Sequence, residues 1–496
     1  MLNLLGQVLP AAAALVTIPF LVRGLGTERF GILSIAWVVL GSSGIFDLGL
    51  GRATTKFVAG SLGRGEHGSI PELIQASLAA QVGFGVIAAL MAAAVVPFLV
   101  HRLLKISPAL LSEAKVSFFI LAAAVPVMLA AGTLRGALES TQRFDIVNAI
   151  KVPVNVATFL LPALALAFRF RLPVIVGLLA LVWVGAAGGY ATLCRKFFPD
   201  LWKEVSVRWA VLRPLLVYGG WIQISNMLGP LMTYLDRFII GALVSVAAVG
   251  YYTPPFDAIT RLSILPGSLT ATLFPAFSSS DAAGSRQRLE DLCVRSIKSI
   301  LLLLGPALLV VIIFAHQILQ LWLGADFAAK SALALQFLAA GVLLNSIGVL
   351  PFSLLQGLGR PDLTAKFHLI EFPLYVVLLW ALIGRLGIAG AALAWTLRVA
   401  FDVVLLFAAV IWLRFISVGQ LAGDGIRRTA AALVIFGALS AVAPLMGMPV
   451  LVQVLTLGIL LPAFALTAWI YVLDIRDRDL VTSIAGHAFT AVGKAN

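Results

Sequence analysis

Six cations of this 496-residue chain fall inside long apolar runs: Arg52, Lys56, Lys151, Arg237, Arg261 and Arg398. In a bilayer interior each would cost at least about 2.5–3.5 kcal/mol, so each is a candidate for chemistry. Arg52 and Lys56 stand one helical turn apart with like charge. They cannot neutralise one another and want an anion or water; their plainer reading is a pair that snorkels to the near surface. Asp257 with Arg261, and Arg398 with Asp402, have the same spacing with opposite charge, which suits a self-neutralising pair as well as a binding site. Gln223, Asn226, Tyr234 and Arg237 fall on roughly one helical face around Pro230, and Asn148, Lys151, Asn155 and Thr158 form a second polar line. Such lines fit a water-filled cleft, with interhelical hydrogen bonding as the bland alternative.

The acids pose a separate question. No phosphate-cradling Gly-Lys-Ser/Thr loop occurs, so transport by this chain would draw on an H+ or Na+ gradient or on consumption of product. Asp47, Asp257, Glu371 and Asp402 are the buried acids able to change protonation between two states. Asp257 and Asp402 each have an arginine one turn away. Asp47, in Asp47-Leu48-Gly49-Leu50-Gly51-Arg52, and Glu371 have no such partner at i±4, although Arg52 or His368 could approach them. Glu371, with His368 at i−3, is therefore the foremost coupling candidate, and a purely structural hydrogen bond is its plainer reading. The histidines form no His-x-x-x-His pair, and Cys194 and Cys293 make neither a metal cluster nor a disulfide framework; no metal or other cofactor is expected.

The elements that must position these residues are membrane helices. With 61% hydrophobic and 11% charged residues, and a mean hydropathy of +1.05, the chain lacks the polar surface of a water-soluble globule. It divides into about fourteen apolar runs of spanning length, without strand-like alternation, so the expected fold is all-α and polytopic. About twenty Lys and Arg fall on one set of connections and about nine on the other, which places both termini in the cytoplasm. The net charge of +13 reflects that bias and attraction to anionic headgroups; no connection is long enough for a nucleic-acid-binding domain. The first run has no basic leader or cleavage site, so no signal peptide is expected.

A weak repeat shifted by about 218 residues relates the first six runs to the next six. Arg29-Phe30-Gly31-Ile32 corresponds to Val249-Gly250-Tyr251-Tyr252, and Leu138 to Arg143 corresponds to Leu355 to Arg360. The predicted organisation is an N-terminal lobe over 1–194, a cytoplasmic linker over 195–213, a C-terminal lobe over 214–414, an extra helix pair over 415–473 and a cytoplasmic tail over 474–496. A pseudo-twofold axis along the membrane normal would relate the lobes.

The segment from Ile18-Pro19-Phe20 through Gly31-Ile32, followed by Asp47-Leu48-Gly49-Leu50-Gly51-Arg52-Ala53, resembles the Wzx-type polysaccharide-biosynthesis flippases. Leu134-Arg135-Gly136, Gln142-Arg143-Phe144, Leu235-Asp236-Arg237-Phe238 and Val249-Gly250-Tyr251-Tyr252 support it. The resemblance covers the first twelve runs and implies a two-lobed, alternating-access carrier in the bacterial inner (cytoplasmic) membrane. The implied substrate is a polyprenyl-pyrophosphate-linked oligosaccharide, with membrane lipids, a glycan polymerase and glycosyltransferases as partners and no nucleic acid. A pyrophosphate headgroup needs cations and hydroxyl or amide partners on its path. Arg52, Lys56, Lys151, Gln223, Asn226, Arg237 and Arg261 would supply them as a central cationic cleft. The chain departs from the family in starting almost inside its first run and in having fourteen rather than twelve. A lipid II-type flippase and a MATE-type ion-coupled exporter therefore stay open. A membrane-embedded glycan polymerase or ligase is disfavoured by the absence of a long extramembrane loop, so the chain is not expected to be an enzyme.

Overall fold

The structure, a computed structural model, describes residues 2–41, 49–203, 208–270, 273, 286–421, 423–474 and 477–478; the side chains of 2–6, 220–226, 230 and 288 lie outside the description. The first helices are α1 (Leu2–Gly41), α2 (Leu50–Arg64), α3 (Ile70–Phe98), α4 (Leu111–Glu139), α5 (Phe144–Ala167), α6 (Leu172–Phe197), α7 (Trp209–Leu243) and α8 (Val246–Thr260). They are followed by α9 (Arg286–Ile313), α10 (Ala315–Leu323), α11 (Ala325–Gly357), α12 (Pro361–Leu386), α13 (Ile388–Trp412), α14 (Asp424–Leu445) and α15 (Val450–Thr467). No strand occurs among the described residues. Helix is the element that satisfies every backbone group within its own segment, as a lipid environment demands. Eleven helical stretches among the described residues are long and apolar enough to cross a membrane.

The first two expected crossings are two helices that meet in a sharp break within Leu2–Gly41. The break is at Gly26, whose φ of 76° is a conformation that glycine adopts without strain. Side chains brace the break: Arg29 donates to both carboxylate oxygens of Glu113 at 2.8 and 3.0 Å, and Glu28 accepts from the Ser107 amide at 2.5 Å. Hydropathy registers the polar residues around Gly26 as a connection, and their partners lie on the segment leading into α4 and on its first turn.

Packing divides the chain into two compact units, residues 1–258 with 372–394 and residues 259–371 with 395–496. In the first, buried Val58, Ile74, Leu134, Leu138 and Tyr190 join α2, α3, α4 and α6, and the Gln75 amide donates to the Leu201 carbonyl at 2.5 Å. Two close backbone approaches recur in this unit with the same chain shift. A Cβ on Gly31 would run into the Val246 carbonyl, and one on Gly250 into the Thr27 carbonyl. These glycines belong to the two stretches that the weak repeat pairs with each other. In the second unit α14 and α15 pack on α9 through Phe436, Phe464, Leu433 and Leu309. Lys298 of α9, 4% exposed, pairs with Asp474 at 3.3 Å and with Asp477 just beyond α15. Burial alone would push the Asp477 carboxyl up, but the hydrogen bond and charge of Lys298 more than offset it and hold the carboxyl below the usual range.

Candidate functional site

In the second unit the ionisable residues converge on α12 and α13. Close packing of α11 fixes the register. The Thr396 hydroxyl donates to the Phe337 carbonyl at 2.7 Å, and Gly341 lies so near Trp395 and Thr396 that a Cβ there would collide with both. Val399 and Leu406 continue this buried face, and Arg398 and Asp402 follow one turn apart beside it. Arg398 Nη1 donates to Glu371 Oε2 at 3.1 Å, and both side chains are almost fully removed from solvent. His368 Nδ1 stands 3.7 Å from the same oxygen, and its ring leans on Phe352 with centroids 6.0 Å apart. Ligand atoms of His368, Glu371 and Asp402 all lie within 4.8 Å of one another. Glu371 Oε1, Asp402 Oδ1 and His368 Nδ1 are buried without a hydrogen-bond partner.

This arrangement corrects the expectation that Glu371 lacks a fixed cationic partner. The partner is Arg398 on the next helix, 27 residues away in sequence, which a search at i±4 cannot reach. The two carboxylates and one guanidinium carry one surplus negative charge when both acids are ionised. A proton shared between Glu371 and Asp402, or a small cation held by them with His368, would cancel it.

The first unit holds a second charged cluster. Arg237 of α7 is 1% exposed; its Nη2 donates to Asp257 Oδ1 at 2.7 Å, and its Nη1 to Asp236 Oδ1 at 3.3 Å and to the Thr233 carbonyl at 3.2 Å. The Tyr252 hydroxyl of α8 donates to Asp236 Oδ2 at 2.7 Å, and the Phe256 ring lies 4.5 Å from the guanidinium carbon. Arg237, expected to line a wet cleft, is thus an interior residue neutralised inside its own unit. Asp236 was the missed residue: it lies beside Arg237 in the sequence, and a count of cations in apolar runs overlooks an adjacent acid. Asp257 takes its bond from Arg237, whereas Arg261 opens a single 3-10 turn, Arg261–Ser263, and is half-buried.

The remaining predicted residues are spread along the first unit. Arg52 and Lys56 are exposed on α2, and Lys56 Nζ lies 3.7 Å from the Tyr218 ring centroid. That cation–π contact partly satisfies a charge expected to await an anion. Lys151 lines a cavity of about 420 Å³ with Asn148 and Asn155 of its own stripe and with Gln7, Glu139 and Phe144. Thr158 bonds to its own helix at Val154. Asp47 lies outside the described residues, as do the side chains of Gln223 and Asn226.

Apolar spanning helices with charges sequestered between them define a multi-pass membrane protein. A family model described as polysaccharide biosynthesis protein matches residues 1–281, and the chain belongs to that family. The putative O-antigen transporter of Shigella flexneri is 29% identical over 404 residues, which cover 82% of this chain and 95% of that protein. Two solved structures share the fold. The lipid II flippase MurJ in an inward closed conformation superposes with a TM-score of 0.71 at 11% identity, covering 97% of this chain and 98% of that one. An inward-facing multidrug resistance MATE family transporter of the MOP superfamily superposes with a TM-score of 0.70 at 16% identity, covering 83% and 98%.

Proposed function

We propose that this protein is a flippase that moves a polyprenyl-pyrophosphate-linked oligosaccharide from the cytoplasmic to the outer leaflet of the bacterial inner membrane, for surface polysaccharide assembly. The observation that carries this reading is the relationship to the putative O-antigen transporter along nearly that protein's whole length. Both termini are cytoplasmic in this reading, which the cation asymmetry favours. A glycan polymerase and glycosyltransferases would consume and supply the substrate, and the protein itself performs no covalent chemistry. A MurJ-like fold that spans 97% of the chain, against 83% for the MATE fold, makes lipid II the competing cargo.

The cluster of Glu371, Asp402, Arg398 and His368 supports coupling to an H+ or Na+ gradient. Its surplus negative charge is cancelled when an ion binds and restored when it leaves, which gives the carrier two states of different stability. The test is reconstitution of the full chain in liposomes that carry fluorescent polyprenyl-pyrophosphate oligosaccharide, with an impermeant quencher outside. Protein-dependent movement of the glycan lipid, accelerated by a pH or sodium gradient, is the expected result. Movement of lipid II alone would replace the substrate, and indifference to both gradients would remove the coupling.

A further inference from the structure

The cavity at the start of α5 brings an aromatic rim together with two kinds of charge and several amides. Phe144 is 53% exposed at its rim, an aromatic ring left outside the apolar core beside polar groups. Lys151 makes no ion pair among the described residues, although Glu139 lines the same cavity; the carboxylate pairs with Arg135 on its own helix at 3.4 Å. Asn155, one turn beyond Lys151, makes no side-chain hydrogen bond among the described residues, and Gln7 of α1 adds a further amide. An aromatic face, amides that donate and accept together, one carboxylate and one cation is the donor set of a carbohydrate site. The ring stacks on the C–H face of a sugar, the amides bridge neighbouring hydroxyls, and the carboxylate accepts from another. The volume of about 420 Å³ lies within the range of small-ligand sites and suits a short glycan rather than an isoprenoid chain.

We propose that this cavity is the docking subsite for the glycan headgroup on the cytoplasmic side, with Lys151 directed at the adjoining phosphate. The inference rests on the flippase reading for its substrate and on the cation count for its side of the membrane. The start of α1, the end of α4 and the start of α5 all belong to that side in the predicted topology. Four residues divide the work: Phe144, Asn148 and Asn155 recognise sugar, and Lys151 recognises charge, because an ammonium acts on phosphate as a point charge.

The experiment titrates the purified full-length protein with the oligosaccharide released from the host's own lipid-linked glycan, once as the free sugar and once as its pyrophosphate. Asn148→Ala/Asn155→Ala should raise Kd at least 10-fold for both probes. Lys151→Gln should raise it for the pyrophosphate only, and Phe144→Trp should keep binding and report it as a saturable fluorescence change. Thermal unfolding of the variants should match the parent, since these side chains are at most half-buried. Unchanged Kd values in all variants, or absence of binding by a parent that still flips glycan lipid, would overturn the subsite. Glycan binding that falls as described in a protein that moves no glycan lipid would instead uphold the subsite and sink the flippase reading.

Discussion

The two charged clusters have the same composition and opposite finish. Each holds one arginine and two acids, so each has one surplus negative charge when fully ionised. Around Arg237 both oxygens of Asp236 are engaged, one by Arg237 and one by Tyr252, Asp257 is fixed at 2.7 Å, and the guanidinium Nε alone is buried without a partner. Around Arg398 one oxygen of Glu371 and one of Asp402 are buried without a partner, and an imidazole waits 3.7 Å away. In the first network every acid is held by a donor; in the second two carboxylates and an imidazole crowd together around one arginine. The difference teaches that charge count alone does not describe a buried cluster; which element supplies each hydrogen bond matters as much.

The comparison breaks most visibly at Arg237. Arg237→Met leaves Asp236 and Asp257 buried with no cation, and should destabilise the protein by about 3–5 kcal/mol. Loss of folded protein from the membrane fraction checks this; normal yield with altered transport would move Arg237 to the functional side. Glu371→Gln and Asp402→Asn should do the reverse. Each should leave the yield and glycan binding of the parent while reducing the response of flipping to the pH or sodium gradient at least 10-fold. A fall in yield like that of Arg237→Met would make the second cluster scaffold as well. Tyr252→Phe sharpens the contrast by removing one hydrogen bond to a charged acceptor, and should cost about 1.5–3 kcal/mol in thermal unfolding without changing gradient response.

The smallest effect is expected at the latch of Lys298 on Asp477. Because the folded carboxyl titrates below its ordinary range, its stabilisation is complete above about pH 4 and is lost as pH falls through the lower folded value. Asp477→Asn should therefore lower the unfolding temperature more at pH 7 than at pH 3. An equal deficit at both pH values would show that the side chain acts through packing.

Much of this was legible in the sequence because a membrane imposes simple bookkeeping on composition. Helical spans follow from apolar length, and the charged residues of the Glu371 cluster were named without coordinates, whereas Asp236 was not. The pairing was not legible. Helical spacing connects residues three or four apart, so it finds Arg398 with Asp402 as neighbours but cannot reach Glu371 on another helix. It also set Arg237 on a polar stripe without showing that α8 closes over it with Tyr252 and Asp257. Of the Asn148, Lys151, Asn155 and Thr158 stripe, consecutive turns of one helix place the first three on one cavity, while Thr158 bonds to its own helix. Phe144 continues the same spacing one turn earlier but is apolar and so drops out of a polar line, while Glu139 ends α4 and Gln7 lies on α1, beyond the reach of helical spacing.

Gly31 and Gly250 touch each other's helix through bare backbone, each against a carbonyl one turn before the other glycine. The spacing of that joint is set by carbonyl oxygens, with the Val246 side chain at its margin, rather than by interdigitated side chains. It is a bearing surface cut from corresponding stretches of a repeated sequence. A methyl group on either glycine would lift the helices apart by a similar amount, so the loss of thermal stability from Gly31→Ala and Gly250→Ala should be alike despite their distance along the chain.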